Sequence, residues 1–202
     1  MDSMLATGAA RIGTLVDYRN AGEHGELVGD TLEGSKLLAG TILNLNAEKA
    51  KQFPGLEGLI EINGGFIGTL EVSNYVRSIV DALIFSASRE YSEEAHRRWH
   101  EAKEYDCCYR ILSARLFFKS LTEAVGSDFT FIGFADVVYS EQIDIAKPEA
   151  GTHPALVKRN VEHNFQNEVR AIWHPSLEQP VSPIILLKSR ANTYCERYKK
   201  IS

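Results

Sequence analysis

Two polar side chains two residues apart, Gln166 and Glu168, stand in a run whose polar and apolar residues alternate. Phe165, Val169, Ala171 and Trp173 fall on one side of the run, with Asn167 as the exception. Gln166, Glu168 and Arg170 fall on the other, as on a β-strand. A Gln and a Glu so spaced reach one ligand together. A carboxylate in that position hydrogen-bonds ribose hydroxyls. It also stabilises the positive charge that develops on an anomeric carbon when a leaving group departs. The amide beside it can orient an incoming nucleophile. The competing reading is a solvated polar stripe, with Glu168 close to Arg170.

Two further stretches offer matching chemistry. Ser86 and Ser88 close the run Phe85-Ser86-Ala87-Ser88. A hydroxyl at the end of a buried strand can hold a ribose or an amide, although Ser is also common where a strand leaves a core. Tyr18-Arg19 ends an early β-rich run, and Arg11 opens it. An Arg there can clamp a pyrophosphate, and a Tyr or Phe85 can lie against a flat heterocycle. A surface pair with Asp17 or Glu23 is the plainer account of either Arg. His96 and His100 are spaced i, i+4 without a His-Glu-x-x-His pattern, so no metal is expected. Asp30 and Glu33 in Gly29-Asp30-Thr31-Leu32-Glu33-Gly34 could bind a cation or seal a loop, and a capping turn is the simpler account. No phosphate-binding Gly-rich loop and no Gly-x-Ser-x-Gly elbow occurs.

The elements that must position these residues follow from patterning. Strands are expected over 11–19, 35–46, 75–86, 106–112, 129–139, 165–173 and 184–187. Asn63-Gly64-Gly65, between β-rich runs over 56–62 and 66–72, reads as a hairpin turn. Helices are expected over 47–53, 91–103, 113–125, 154–159 and 190–200. Ser113 is the N-cap of the third, and Leu116, Phe117, Leu121 and Val125 form its apolar face. Strands and helices that do not alternate regularly favour an α+β fold with antiparallel or mixed sheets.

The bulk numbers agree with one globular domain over 1–202. The chain has 202 residues, 44% hydrophobic and 24% charged. A net charge of -5 argues against a chain coated in basic residues for nucleic acid. Cys107, Cys108 and Cys195 make no disulfide framework. No apolar run is long enough to span a bilayer, and Met1-Asp2-Ser3-Met4 opens no signal peptide. A cytoplasmic protein without membrane contact is expected.

The order of the motifs resembles the Arg-Ser-Glu class of ADP-ribosyltransferases: an Arg on an early strand, a Ser closing a middle one, a Gln-x-Glu on a late one. That resemblance implies a split-sheet core and NAD as substrate. Arg19 (or Arg11) and Ser86 (or Ser88) would hold NAD, with Tyr18 or Phe85 against the nicotinamide. Glu168 would be catalytic, and Gln166 would orient the acceptor. The family's Ser-Thr-Ser element stands here as Ser86-Ala87-Ser88. A second resemblance rests on Tyr18-Arg19, Asp30-x-x-Glu33-Gly34, Phe85-Ser86, Lys158 and Glu168-Val169-Arg170. It is to uncharacterised bacterial proteins of mobile or defence-related neighbourhoods. It implies a bacterial or phage setting and gives no chemistry of its own. Together the resemblances are read as an NAD-consuming ADP-ribosyltransferase, a toxin or anti-phage effector with a macromolecular acceptor, protein or nucleic acid, and a cognate antitoxin or inhibitor. Two other readings stand beside these. One is a non-enzymatic inhibitor or adaptor of such a system. The other is an RNA- or nucleotide-acting enzyme using Lys158, Arg159, His163 and Arg170.

Overall fold

The computed structural model describes residues 3–25, 27, 29–101 and 108–198. In chain order they form α1 (Ser3–Thr7), β1 (Ala10–Thr14), α2 (Leu15–Tyr18), α3 (Ala21–His24), β2 (Ser35–Leu45), α4 (Ala47–Ala50), β3 (Ile67–Ser78) and β4 (Leu83–Ser88). Then come α5 (Glu93–Glu101), β5 (Tyr109–Ile111), α6 (Ala114–Val125), β6 (Phe129–Asp136), β7 (Val138–Tyr139), β8 (Ile143–Asp144), β9 (Val157–Lys158), β10 (Glu168–Pro175), β11 (Ile184–Leu186) and β12 (Cys195–Arg197). Short 3-10 turns join several of them. The fold is α+β, with mostly antiparallel sheets. Contacts cluster the chain into two units of discontinuous segments, 1–29 with 81–136 and 165–202, and 30–80 with 137–164.

In the first unit a five-stranded sheet has the order β11-β1-β4-β10-β6. One face carries Ile12, Leu83, Ala171 and Trp173, packed against Phe117, Phe118 and Leu121 of α6. These α6 residues recur at helical spacing, and burying each contributes roughly 1.5–3 kcal/mol. Leu116, expected on that face, is exposed, and Phe118 takes its place. Trp173 satisfies its buried indole N–H by donating to Thr122 Oγ1 at 2.8 Å. The β10–β6 register shifts at Ile172/Trp173, beside Gly133 at φ +146°. The resulting bulge kinks β6, an edge strand of the sheet.

In the second unit β2 pairs antiparallel with β3 along most of its length and parallel with β8. Its core is Leu38, Ile143, Ala150 and Val157, with a second cluster of Ile42, Leu45, Leu56 and Ile145. Lys36 is buried there and donates to the carbonyls of Ala150 and Thr152 (2.6 Å to the latter), pinning the 3-10 turn Pro148–Gly151. Asp30 and Glu33 are both buried. Asp30 Oδ1 accepts from Leu32 N and Glu33 Oε1 from Gly34 N, the local turn expected from their spacing.

Several expected elements are corrected. The early strand stops at Thr14, whose hydroxyl accepts from Asp17 N and caps α2, so Tyr18 lies on a helix and Arg19 at its C-cap. No hairpin closes at Asn63-Gly64-Gly65. Leu59, Ile60 and Ile62 pack on the Ile42 cluster, and β3 takes the distant β2 as partner. The expected strand 75–86 is the end of β3 and most of β4, broken between Ser78 and Leu83. The stretch 154–159 is a 3-10 turn leading into β9, and 190–198 a 3-10 turn leading into β12. The ends of helices 91–103 and 190–200, the start of strand 106–112, and Cys107 lie outside the described residues.

Candidate functional site

The register of β4 against β10 sets the geometry. Glu168 pairs with Ser88, Arg170 with Ser86 and Ile172 with Ile84. Residues directly opposite in an antiparallel pair point to the same face. Ser86, Ser88, Glu168 and Arg170 therefore share one face of the sheet, away from α6. Gly13 of β1 pairs with Ile84, so Arg11 and Gly13 belong to that face too.

Tyr18 returns over β1. A Cβ added at Gly13 would lie 2.5 Å from the Tyr18 ring, so only glycine admits this approach. The Arg11 guanidinium sits 5.8 Å from the Tyr18 centroid and donates to Asp17 Oδ2 at 2.6 Å. The His24 ring stands 5.3 Å from that of Tyr18. His24 Nε2 is 3.1 Å from Asp17 Oδ1, close enough for an electrostatic contact though not aligned as a hydrogen bond. Asp17 thus orders both Arg11 and His24 around the tyrosine. The Arg11–Asp17 pair is the plainer account that the sequence offers for this Arg, whereas the contact with His24 was not expected.

Glu168 Oε2 accepts from Arg170 Nη2 at 3.1 Å, and their side chains are only 11% and 2% exposed. A solvated stripe would leave both in water, so the competing reading from sequence does not describe this face. Burying a carboxylate and a guanidinium is costly unless each is paired and hydrogen-bonded. Other polar residues of the second resemblance are buried as well: Asp30, Glu33 and Lys158, in the other unit.

Two sequence-assigned residues fall elsewhere. Gln166 does not share a strand face with Glu168. It ends the 3-10 turn Val161–Gln166, and Asn167 at φ +44° reverses the chain before β10 starts. Its side chain is buried and donates to Leu27 O at 2.6 Å. Phe85 points to the α6 face, its ring 5.6 Å from that of Phe117. Alternation along β4 puts it opposite to Ser86. Arg19, half-buried at the end of α2, directs its backbone N–H to Val16 O.

Among the described residues Asp17, Glu23 and His24 bring potential metal-ligating atoms within 4.8 Å of one another. Asp17 already meets Arg11 and His24, and Glu23 Oε2 accepts from Asn20 at 3.1 Å. The cluster is accounted for by protein partners. No helix among the described residues is long and apolar enough to cross a membrane. Comparison with protein-family models, curated proteins and solved structures gives no match to this chain.

Proposed function

We propose that the Glu168 face performs ADP-ribosyl transfer from NAD. What supports this reading is the buried Glu168–Arg170 pair set directly across from Ser88 and Ser86. The C1′–N bond of NAD breaks with its electron pair leaving on nicotinamide, which departs neutral. The positive charge left on the ribosyl carbon is stabilised by the Glu168 carboxylate. The acceptor nucleophile attacks that carbon and gives up its proton. Arg170 holds one carboxylate oxygen and fixes the carboxylate's orientation toward the ribose. The Ser86 and Ser88 hydroxyls hold the ribose, and the Tyr18 ring lies against a base. Arg11, 40% exposed beside Asp17, keeps donors for the phosphates, with Arg19 as a second clamp. Gln166, spent on Leu27, steadies the start of β10 rather than guiding the acceptor.

The acceptor we propose is a macromolecule, protein or nucleic acid. The setting is a cytoplasmic toxin or anti-phage effector with a cognate inhibitor, which rests on the resemblances alone. The test is incubation of the protein with labelled NAD and cell lysate. Label is expected on a macromolecule with wild type and on none with Glu168→Gln. Equal labelling by the variant would end the proposal.

A further inference from the structure

The α6 side of the same sheet holds a cavity of about 840 Å³, whose lining also includes Ser86 and Ser88 at the end of β4. Its floor is aromatic. Phe85 meets Phe117 and Phe118 at 5.6 and 6.2 Å, tilted by 55° and 72°. Phe118 in turn meets Phe134 at 4.9 Å and 40°. Tilted rings at these spacings lock one another: Phe117 and Phe118 are buried behind the floor, and Phe85 and Phe134 are the rings accessible from the space above.

The space is open because the elements around it carry small side chains. Ala87 of β4 and Ala114 at the start of α6 line it where larger residues would close it. Interiors are otherwise packed with few voids larger than a water molecule, whereas ligand pockets run to roughly 300–1,000 Å³. At about 840 Å³ the cavity falls in the second size range.

The mouth is polar but electrically balanced. Arg89 pairs with Asp136, and Arg110 with Glu196 across β5 and β12. Among the described residues, the charged side chains lining the cavity are Arg89, Arg110, Glu90 and Asp136, which sum to zero. Both guanidiniums are already matched, so the mouth selects no net charge. Tyr91 and Tyr198 stack beside it at 4.5 Å and 19°, a flat aromatic wall at the entrance.

We propose that this cavity is a small-molecule site for an uncharged planar aromatic ligand, with its ring system over the phenylalanines and a hydrogen-bonding edge at the mouth. The cavity shares Ser86 and Ser88 with the proposed NAD face, but the proposal calls on neither hydroxyl nor on Glu168.

Calorimetric titration with 2-naphthol, and with naphthalene-2-sulfonate as its anionic counterpart, tests it. Saturable one-to-one binding of 2-naphthol is expected, with the sulfonate weaker. Ala87→Phe fills the cavity from the sheet, and Ala114→Phe from the helix. Each should weaken 2-naphthol by about tenfold or more while the melting temperature and near-UV circular dichroism hold. If Ala87→Phe unfolds, Ala114→Phe decides alone. Absence of saturable binding, equal binding by the filled variant, or tighter binding of the sulfonate would each overturn the proposal.

Discussion

The two faces of the five-stranded sheet are made by the same strands and solve opposite problems. Toward α6, Leu83, Ala171 and Trp173 bury apolar surface, and a single indole N–H needs a partner. Toward the other side, Ser86, Ser88, Glu168 and Arg170 share a face on which the charged pair is almost fully buried. The first face draws its stability from area removed from water. The second carries a charge pair whose desolvation offsets much of its attraction, so stability alone is a weak reason to have it. Under the proposed function, the pair is kept on this interior strand for its chemistry rather than for stability.

The contrast can be broken from either side. Trp173→Ala should cost about 4 kcal/mol in chemical denaturation, since it opens a cavity and removes the indole N–H that donates to Thr122 Oγ1. Arg170→Met should cost about 3 kcal/mol, because Glu168 is then buried without this cation. Joining Glu168→Leu to Arg170→Met should restore most of that stability while removing any NAD turnover. A double variant as unstable as the single one would mean the pair itself holds the face together. Gly13→Ala should cost about 2 kcal/mol by driving a methyl into the Tyr18 ring, and weaken NAD binding as Tyr18 shifts. Ser86→Ala should move stability by no more than about 0.5 kcal/mol and show only as weaker NAD binding.

The second unit offers a smaller, pH-dependent effect. Burial pushes Lys36 down to about 8 from 10.5, aided by Arg77 and opposed by Glu57. The folded chain then releases this proton before the unfolded chain does, so folding is favoured increasingly as pH rises from about 8 toward 10.5. Wild type should gain stability relative to Lys36→Met across that window in denaturation curves. A relative loss would show that the Ala150 and Thr152 carbonyls, not desolvation, govern the ammonium.

The sequence made the apolar stripe of α6 legible, because Phe117 and Leu121 recur at helical spacing, and it made β2 legible as a long β-rich run. It also brought Ser86, Ser88 and Glu168 forward, and their shared face rests on a register that patterning does not encode. Tyr18 was misplaced because a β-branched run looks like strand until Thr14 caps a helix with Asp17. The hairpin at Asn63-Gly64-Gly65 failed because a local turn signal lost to packing on Ile42 and Leu45. Gln166 was misassigned because one residue, Asn167 at positive φ, separates a 3-10 turn from a strand that alternation runs together. The burial of Arg170 had no sequence signal, since a lone Arg beside a Glu reads as solvated. The two units were invisible because each is stitched from distant segments, and no linker composition marks where the chain crosses between them.

The most direct measurement of the central claim is nicotinamide release from NAD, followed chromatographically for wild type and Glu168→Gln in parallel, with cell lysate supplying acceptors. The account predicts steady release by wild type and a loss of about 10²–10³-fold in the variant. The variant is assayed where circular dichroism shows it folded, since Arg170 loses this buried counter-charge and the melting temperature falls. Release at an unchanged rate by Glu168→Gln, or none by a folded wild type, would contradict it.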